Sequence, residues 1–289
     1  MKHDAISPTT RICAVIGNPV GHSLSPALHN AAFDELGLDF VYVAFRVEDL
    51  KAALAGMRAL ENFRGMSVTI PHKIEAMRHV DEVAAEDRHI GSINTIINEQ
   101  GRLIGLGTDG PGALKALVDA GVAIDGRSVL MLGAGGAARA VAFTLALKTG
   151  LAKLTILDIN EELLAGLATD LEARSPARIE SEALTDVSVT RAMAHADLII
   201  NCTPIGMHPK EGVSLVPIDS FRPGQAVFDV VYTPLETKLL ADARSRGLKT
   251  ISGVEMFINQ AVLQFRQFTG VDAPVEVMRR VVMDRLGSR

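Results

Sequence analysis

Lys73 and Asp109 are the two side chains of this sequence best placed by local context to move a proton together. Lys73 ends the run Ser67-Val68-Thr69-Ile70-Pro71-His72-Lys73, and Asp109 lies in Gly105-Leu106-Gly107-Thr108-Asp109-Gly110. Asn94, in Gly91-Ser92-Ile93-Asn94-Thr95, adds a carboxamide. Hydride transfer at a carbinol carbon requires the hydroxyl proton to leave or arrive as the oxidation state changes. A lysine brought towards neutrality by desolvation can do this, and a neighbouring aspartate can orient the amine and share the proton. Each residue also has a bland reading. Lys73 could face solvent, Asn94 could start a strand and Asp109 could cap the helix opened by Pro111.

Pro71 reads as the start of a helix, which puts Lys73 in a first turn, where a cation is disfavoured by roughly 0.3–1 kcal/mol. In Gly21-His22-Ser23-Leu24-Ser25-Pro26, Ser25 reads as an N-cap and Pro26 as the first helical residue. That leaves Ser23 unexplained. Two hydroxyls at a helix N-terminus form a small carboxylate or phosphate site, and both readings stand.

Residues 128–158 must position a second reactant. Residues 129–132 are an apolar run of strand length, Gly133-Ala134-Gly135-Gly136 can turn tightly, residues 137–148 are helix-forming, and 154–157 form a second strand ending at Asp158. This order matches the dinucleotide fingerprint, with Gly133 and Gly135 approaching a pyrophosphate. Asp158 would then accept hydrogen bonds from the adenosine ribose. A carboxylate there repels a 2′-phosphate, and Ile159 and Asn160 supply no cation, so the expected cofactor is NAD rather than NADP.

Elsewhere strands and helices alternate, giving an α/β class with two α/β domains separated by a cleft. Strands are expected at 12–16, 40–45 and 66–70, helices at 26–36 and 50–60, and a hairpin over 92–105. Strands at 198–202, 226–230 and 249–252 would extend the parallel sheet begun at Val129. Residues 175–190 are polar and show no clear periodicity. A substrate-binding catalytic domain is expected over 1–109, joined by C-terminal helices within 255–289, and a Rossmann-type domain over 110–254.

With 289 residues, 48% hydrophobic, the chain can bury two cores. A net charge of -5, no Trp and 4% aromatics argue against nucleic acid or an anionic membrane as partner. Cys13 and Cys202 form no metal or disulfide pattern, and residues 1–10 lack a signal-peptide core, so a reducing cytoplasm is expected. His22, His72 and His89 are expected to face solvent.

Together the segments 23–26, 68–73, 91–95, 108–110, 133–139, 201–207, 229–234 and 253–261 resemble, in order, the shikimate/quinate dehydrogenases. The resemblance implies reversible oxidation of the C3 hydroxyl of shikimate, or its equivalent in quinate, to the 3-dehydro ketone. Lys73 and Asp109 would be the catalytic pair. Ser23 and Ser25 would hold the substrate carboxylate, with Thr69, Asn94, Tyr232 and Gln260 at the ring. Cofactor contacts would fall on Gly133, Ala134, Gly135, Gly136, Ala137 and Asp158, then on Thr203, Met207, Val230, Gly253 and Met256. Asp158 makes the chain look like the NAD-using branch, and Ser67 and Gly107 stand where biosynthetic members usually carry Asn. Aminoshikimate dehydrogenation and ligand sensing without turnover are the competing readings; the lack of a DNA-binding extension or basic patch argues against the latter. The expected partner is a small cyclic hydroxy acid, with a homodimer as the assembly to look for.

Overall fold

The computed structural model describes residues 6–85 and 87–287. Two compact units emerge, Met1–Thr108 with Gln260–Arg289, and Asp109–Asn259. Among the described residues no helix is long and apolar enough to cross a membrane.

In the first unit β1 (Arg11–Gly17), α1 (Ser25–Glu35), β2 (Phe40–Arg46), α2 (Leu50–Arg58) and β3 (Phe63–Val68) alternate. They are followed by β4 (Glu82–Val83) and the hairpin β5 (Thr95–Glu99) and β6 (Arg102–Leu106). The sheet order is β2-β1-β3-β5-β6-β4. β1 is parallel to both neighbours, whereas β5 is antiparallel to β3 and β6. That reversal brings the start of β5 to the end of the sheet where β1 and β3 finish. Residues 12–16 of β1 are an unbroken apolar run, as suits a strand flanked by neighbours on both sides and buried from Cys13 onward. Gln100 and Gly101, at φ 54° and 89°, make the tight hairpin turn.

Two expectations fail here. Residues 71–74 form a turn followed by one 3-10 turn, Glu75–Arg78, so Lys73 is not in an α-helix and carries no dipole penalty. Ser25 is the first residue of α1 rather than its cap; that place falls to Leu24, which makes no side-chain cap.

The second unit opens with α3 (Asp109–Asp119) and continues through β7 (Ser128–Leu132), α4 (Gly136–Lys148), β8 (Lys153–Asp158) and α5 (Glu161–Glu172). Next come β9 (Arg178–Ala183), α6 (Asp186–Met193), β10 (Leu198–Asn201), β11 (Ala226–Asp229), α7 (Lys238–Ser245) and β12 (Lys249–Ser252). All six strands are parallel in the order β12-β11-β10-β7-β8-β9, as expected for a sheet begun at Val129. Chain direction across the sheet reverses at β7, so the open edge beyond β7 and β10 is the switch point where such sheets bind ligands. α3 lies close on α4 because Gly110 has no side chain; a Cβ there would sit 2.0 Å from Thr144 Oγ1. α8 (Gly253–Thr269) and α9 (Val275–Gly287) end the chain, with α9 packed on α1.

Candidate active site

In the first unit main-chain hydrogen bonds gather the predicted acid-binding residues at one end of the sheet. Thr69 N donates to Ile16 O at 2.9 Å, and Asn18 N to Ile70 O at 2.9 Å, joining the loops after β1 and β3. Ile93 N donates to Lys73 O at 2.9 Å, and Val68 N to Asn94 O at 2.7 Å. These backbone bonds set Thr69, Lys73 and Asn94 side by side. Ser23 Oγ accepts Ser25 N at 3.3 Å, so both hydroxyl residues crowd the start of α1.

Asn94 is 4% exposed, and its carboxamide is anchored twice. Oδ1 accepts Thr108 N at 2.7 Å, while Nδ2 donates to Thr108 Oγ1 at 2.9 Å. Gln260 Oε1 lies 3.5 Å from that Nδ2. His72 departs from expectation: it is buried, with Nε2 2.9 Å from Val47 O.

In the second unit Asp109 is buried and is the first residue of α3. The glycine turn has the geometry a dinucleotide needs. Gly133 adopts φ +108°, and a Cβ there would press on Cys202 at 3.1 Å and on Thr203 Cγ2 at 3.3 Å. Gly135 caps α4 with no side chain over the helix end, and a Cβ on it would meet nothing within 4 Å. Backbone and open space over a helix N-terminus suit a pyrophosphate, so these residues fit the cofactor's shared core.

Around the same edge, Thr203 builds its own turn by donating to Asn201 Oδ1 at 2.7 Å. Gly253 lies against Val230, whose carbonyl would be 2.3 Å from a Cβ. Met256 is buried, Met207 half-buried, and Tyr232 stacks on Phe257 at 4.5 Å.

Sequence reasoning missed the group beneath this edge. Asp229, fully buried, accepts from Thr237 Oγ1 at 2.6 Å, Asn201 Nδ2 at 2.9 Å and Val231 N at 3.0 Å, tying together the loops after β10 and β11. Burial pushes its pKa up to about 6 even with three donors. Its sequence signals were an Asp ending an apolar strand and its place at the head of the segment 229–234, neither of which points to a buried carboxylate.

Asp158 is engaged by the main chain rather than standing free for the role first given to it. Oδ2 accepts Ala134 N at 2.5 Å and Oδ1 accepts Asn160 N at 2.7 Å, so the carboxylate fastens the glycine turn to β8. Charge-assisted bonds of this kind contribute roughly 1.5–3 kcal/mol each. Asp158→Ala should therefore raise KM about tenfold for NADP and NAD alike, with KM for the acid substrate unmoved. A variant that merely changes preference between the two cofactors would show that the carboxylate reads the 2′ position after all.

Residues 15–96 match the family model described as shikimate dehydrogenase substrate binding domain, and residues 253–283 the shikimate 5'-dehydrogenase C-terminal domain. A shikimate dehydrogenase (NADP(+)) of Moorella thermoacetica is 45% identical, covering 98% of this chain and 96% of its own. One of the same name from Methanosarcina mazei is 44% identical over 96% of this chain and 99% of its own. A solved shikimate dehydrogenase in complex with NADP+ superposes with a TM-score of 0.88 at 40% identity, covering 97% of both chains. These names overturn the expectation of NAD. Asp158 is not the free acceptor on which that expectation rested, since each of its oxygens already accepts a main-chain N–H.

Proposed function

The chain belongs to the shikimate dehydrogenase family, and from that premise we propose that it catalyses the reversible, NADP-linked oxidation of the C3 hydroxyl of shikimate to the 3-dehydro ketone. The observation that carries this reading is the gathering of Thr69, Lys73 and Asn94 by backbone hydrogen bonds at one end of the first sheet, with Gln260 beside Asn94. Ser23 and Ser25 bind the carboxylate, since hydroxyls at a helix start favour an anion. Thr69, Asn94, Gln260 and Tyr232 order the ring hydroxyls. Lys73 takes the C3 hydroxyl proton during oxidation and returns it during reduction, with Asp109 as the second member of the acid/base pair. Bound NADP+ supplies the hydride acceptor. The turn at residues 133–137 holds the cofactor's pyrophosphate.

Steady-state kcat/KM should be measured for shikimate and quinate with each nicotinamide cofactor at one pH. Shikimate with NADP should give the highest value. No reduction of NADP at millimolar shikimate, with the acid still bound, would replace this reading by a ligand-sensing one.

A further inference from the structure

Behind Asn94 runs a buried relay of side chains outside the residues assigned so far. Gln264 is 1% exposed and sits one helical turn after Gln260 on α8. Its Nε2 donates to Thr95 Oγ1 at 2.9 Å and to Asn94 O at 3.2 Å. Its Oε1 accepts Ser67 Oγ at 2.8 Å, and Ser67 Oγ accepts Tyr42 Oη at 2.6 Å. Thr95 Oγ1 continues the chain by donating to Asn94 Oδ1 at 3.1 Å.

The polarity of this chain is forced. The Asn94 carbonyl can only accept, so the amide nitrogen of Gln264 must face it. Its oxygen then faces Ser67, which must donate and must therefore accept from Tyr42. Thr95, accepting a hydrogen bond from Gln264, directs its own hydroxyl proton at Asn94 Oδ1. At the far end Thr108 N, which can only donate, also meets Oδ1. Both ends agree, so Asn94 presents its N–H side to Gln260. The direct contact is weak, Gln260 Oε1 lying 3.5 Å from Asn94 Nδ2 and 3.4 Å from Thr108 Oγ1. The shorter bonds of Gln264 are what seat α8 against β5.

We infer that Gln264 is a positioning residue for recognition of the hydroxy acid: through Thr95 and the Asn94 carbonyl it fixes how Asn94 and Gln260 are presented to the substrate ring. This rests on the reading of Asn94 and Gln260 as substrate contacts. A buried polar chain satisfied at every member is stiff, and it loses its geometry when one polarity is reversed.

Gln264→Glu turns the donor into an acceptor facing the Asn94 carbonyl. It should raise KM for shikimate about tenfold, with kcat changed less and KM for NADP unchanged. Thr95→Val, which removes the relay hydroxyl without adding charge, should give the same pattern if the glutamate variant does not fold. Thr95→Ser, which keeps the hydroxyl, should stay within about twofold of wild type. Unmoved shikimate KM in folded variants, equal changes in both substrates' KM, or a serine variant as impaired as the valine one would each overturn the inference. Wild-type turnover of shikimate tests the functional reading separately, since the relay is judged only by ratios to wild type.

Discussion

Lys73→Ala should lower kcat by about three orders of magnitude while KM for shikimate changes far less. General acid–base groups contribute roughly 10²–10⁴-fold, and a loss confined to kcat marks an interaction made mainly in the transition state. The backbone isolates this effect. The turn that carries Lys73 is held by His72 N to Thr69 O, Ala76 N to His72 O, and Ile93 N to Lys73 O, none of which uses the lysine side chain. Lys73→Arg should not rescue it, because a guanidinium keeps its proton. Pre-steady-state reduction of NADP at saturating shikimate is the direct measurement. Full activity in Lys73→Ala would remove the residue from the acid/base assignment and leave Asp109 as the remaining candidate.

What could be read from the sequence depended on where each element's stability originates. Central strands such as β1 and β7, and helices such as α2 with its Asp49 cap, announce themselves through apolar runs and capping residues. β9 does not. As the edge strand Arg-Ile-Glu-Ser-Glu-Ala it is half or fully exposed throughout, and its side chains make ion pairs such as Lys153 with Glu180 at 2.6 Å. Its place comes from the ladder to β8, which no local pattern encodes. The same holds for the site. Residue types and motif order singled out Lys73, Asn94 and the glycine turn as candidates, but not which groups a carboxylate bonds. Asp158 occupies the fingerprint position, yet its oxygens meet Ala134 and Asn160, a fact of three-dimensional closure. The relay was beyond reach for a plainer reason: Ser67 and Gln264 are 197 residues apart, and a glutamine on an apolar helix gives no hint of its partner.

Acid should expose a second buried group. His29 is fully buried on α1, stacked on Tyr42 at 4.4 Å and 8°, with Phe265 at 6.2 Å and Phe268 at 5.9 Å around it. Burial pushes its pKa down to about 3, and Gln264 beside it offsets only part of that. The unfolded chain binds a proton at this histidine below about pH 6.5, whereas the folded chain does so only near 3, so stability falls as pH drops between those values. The slope is about 1.4 kcal/mol per pH unit and the whole loss about 5 kcal/mol. Asp229 acts with the opposite sign. Its folded pKa of about 6 lies above the 3.8 of an ordinary aspartate, so it contributes stability as pH falls through that window. The two sit in different units, so acid should weaken the first unit while firming the second. His29→Phe should remove the first unit's loss, leaving its unfolding free energy about 1.4 kcal/mol per unit less steep than wild type from pH 6.5 down to 4. Any packing penalty from the larger ring displaces the curve without altering its slope. Denaturant titrations at four pH values in that range, for wild type and variant, measure the difference; parallel curves would mean that the imidazole is protonated inside the aromatic cage.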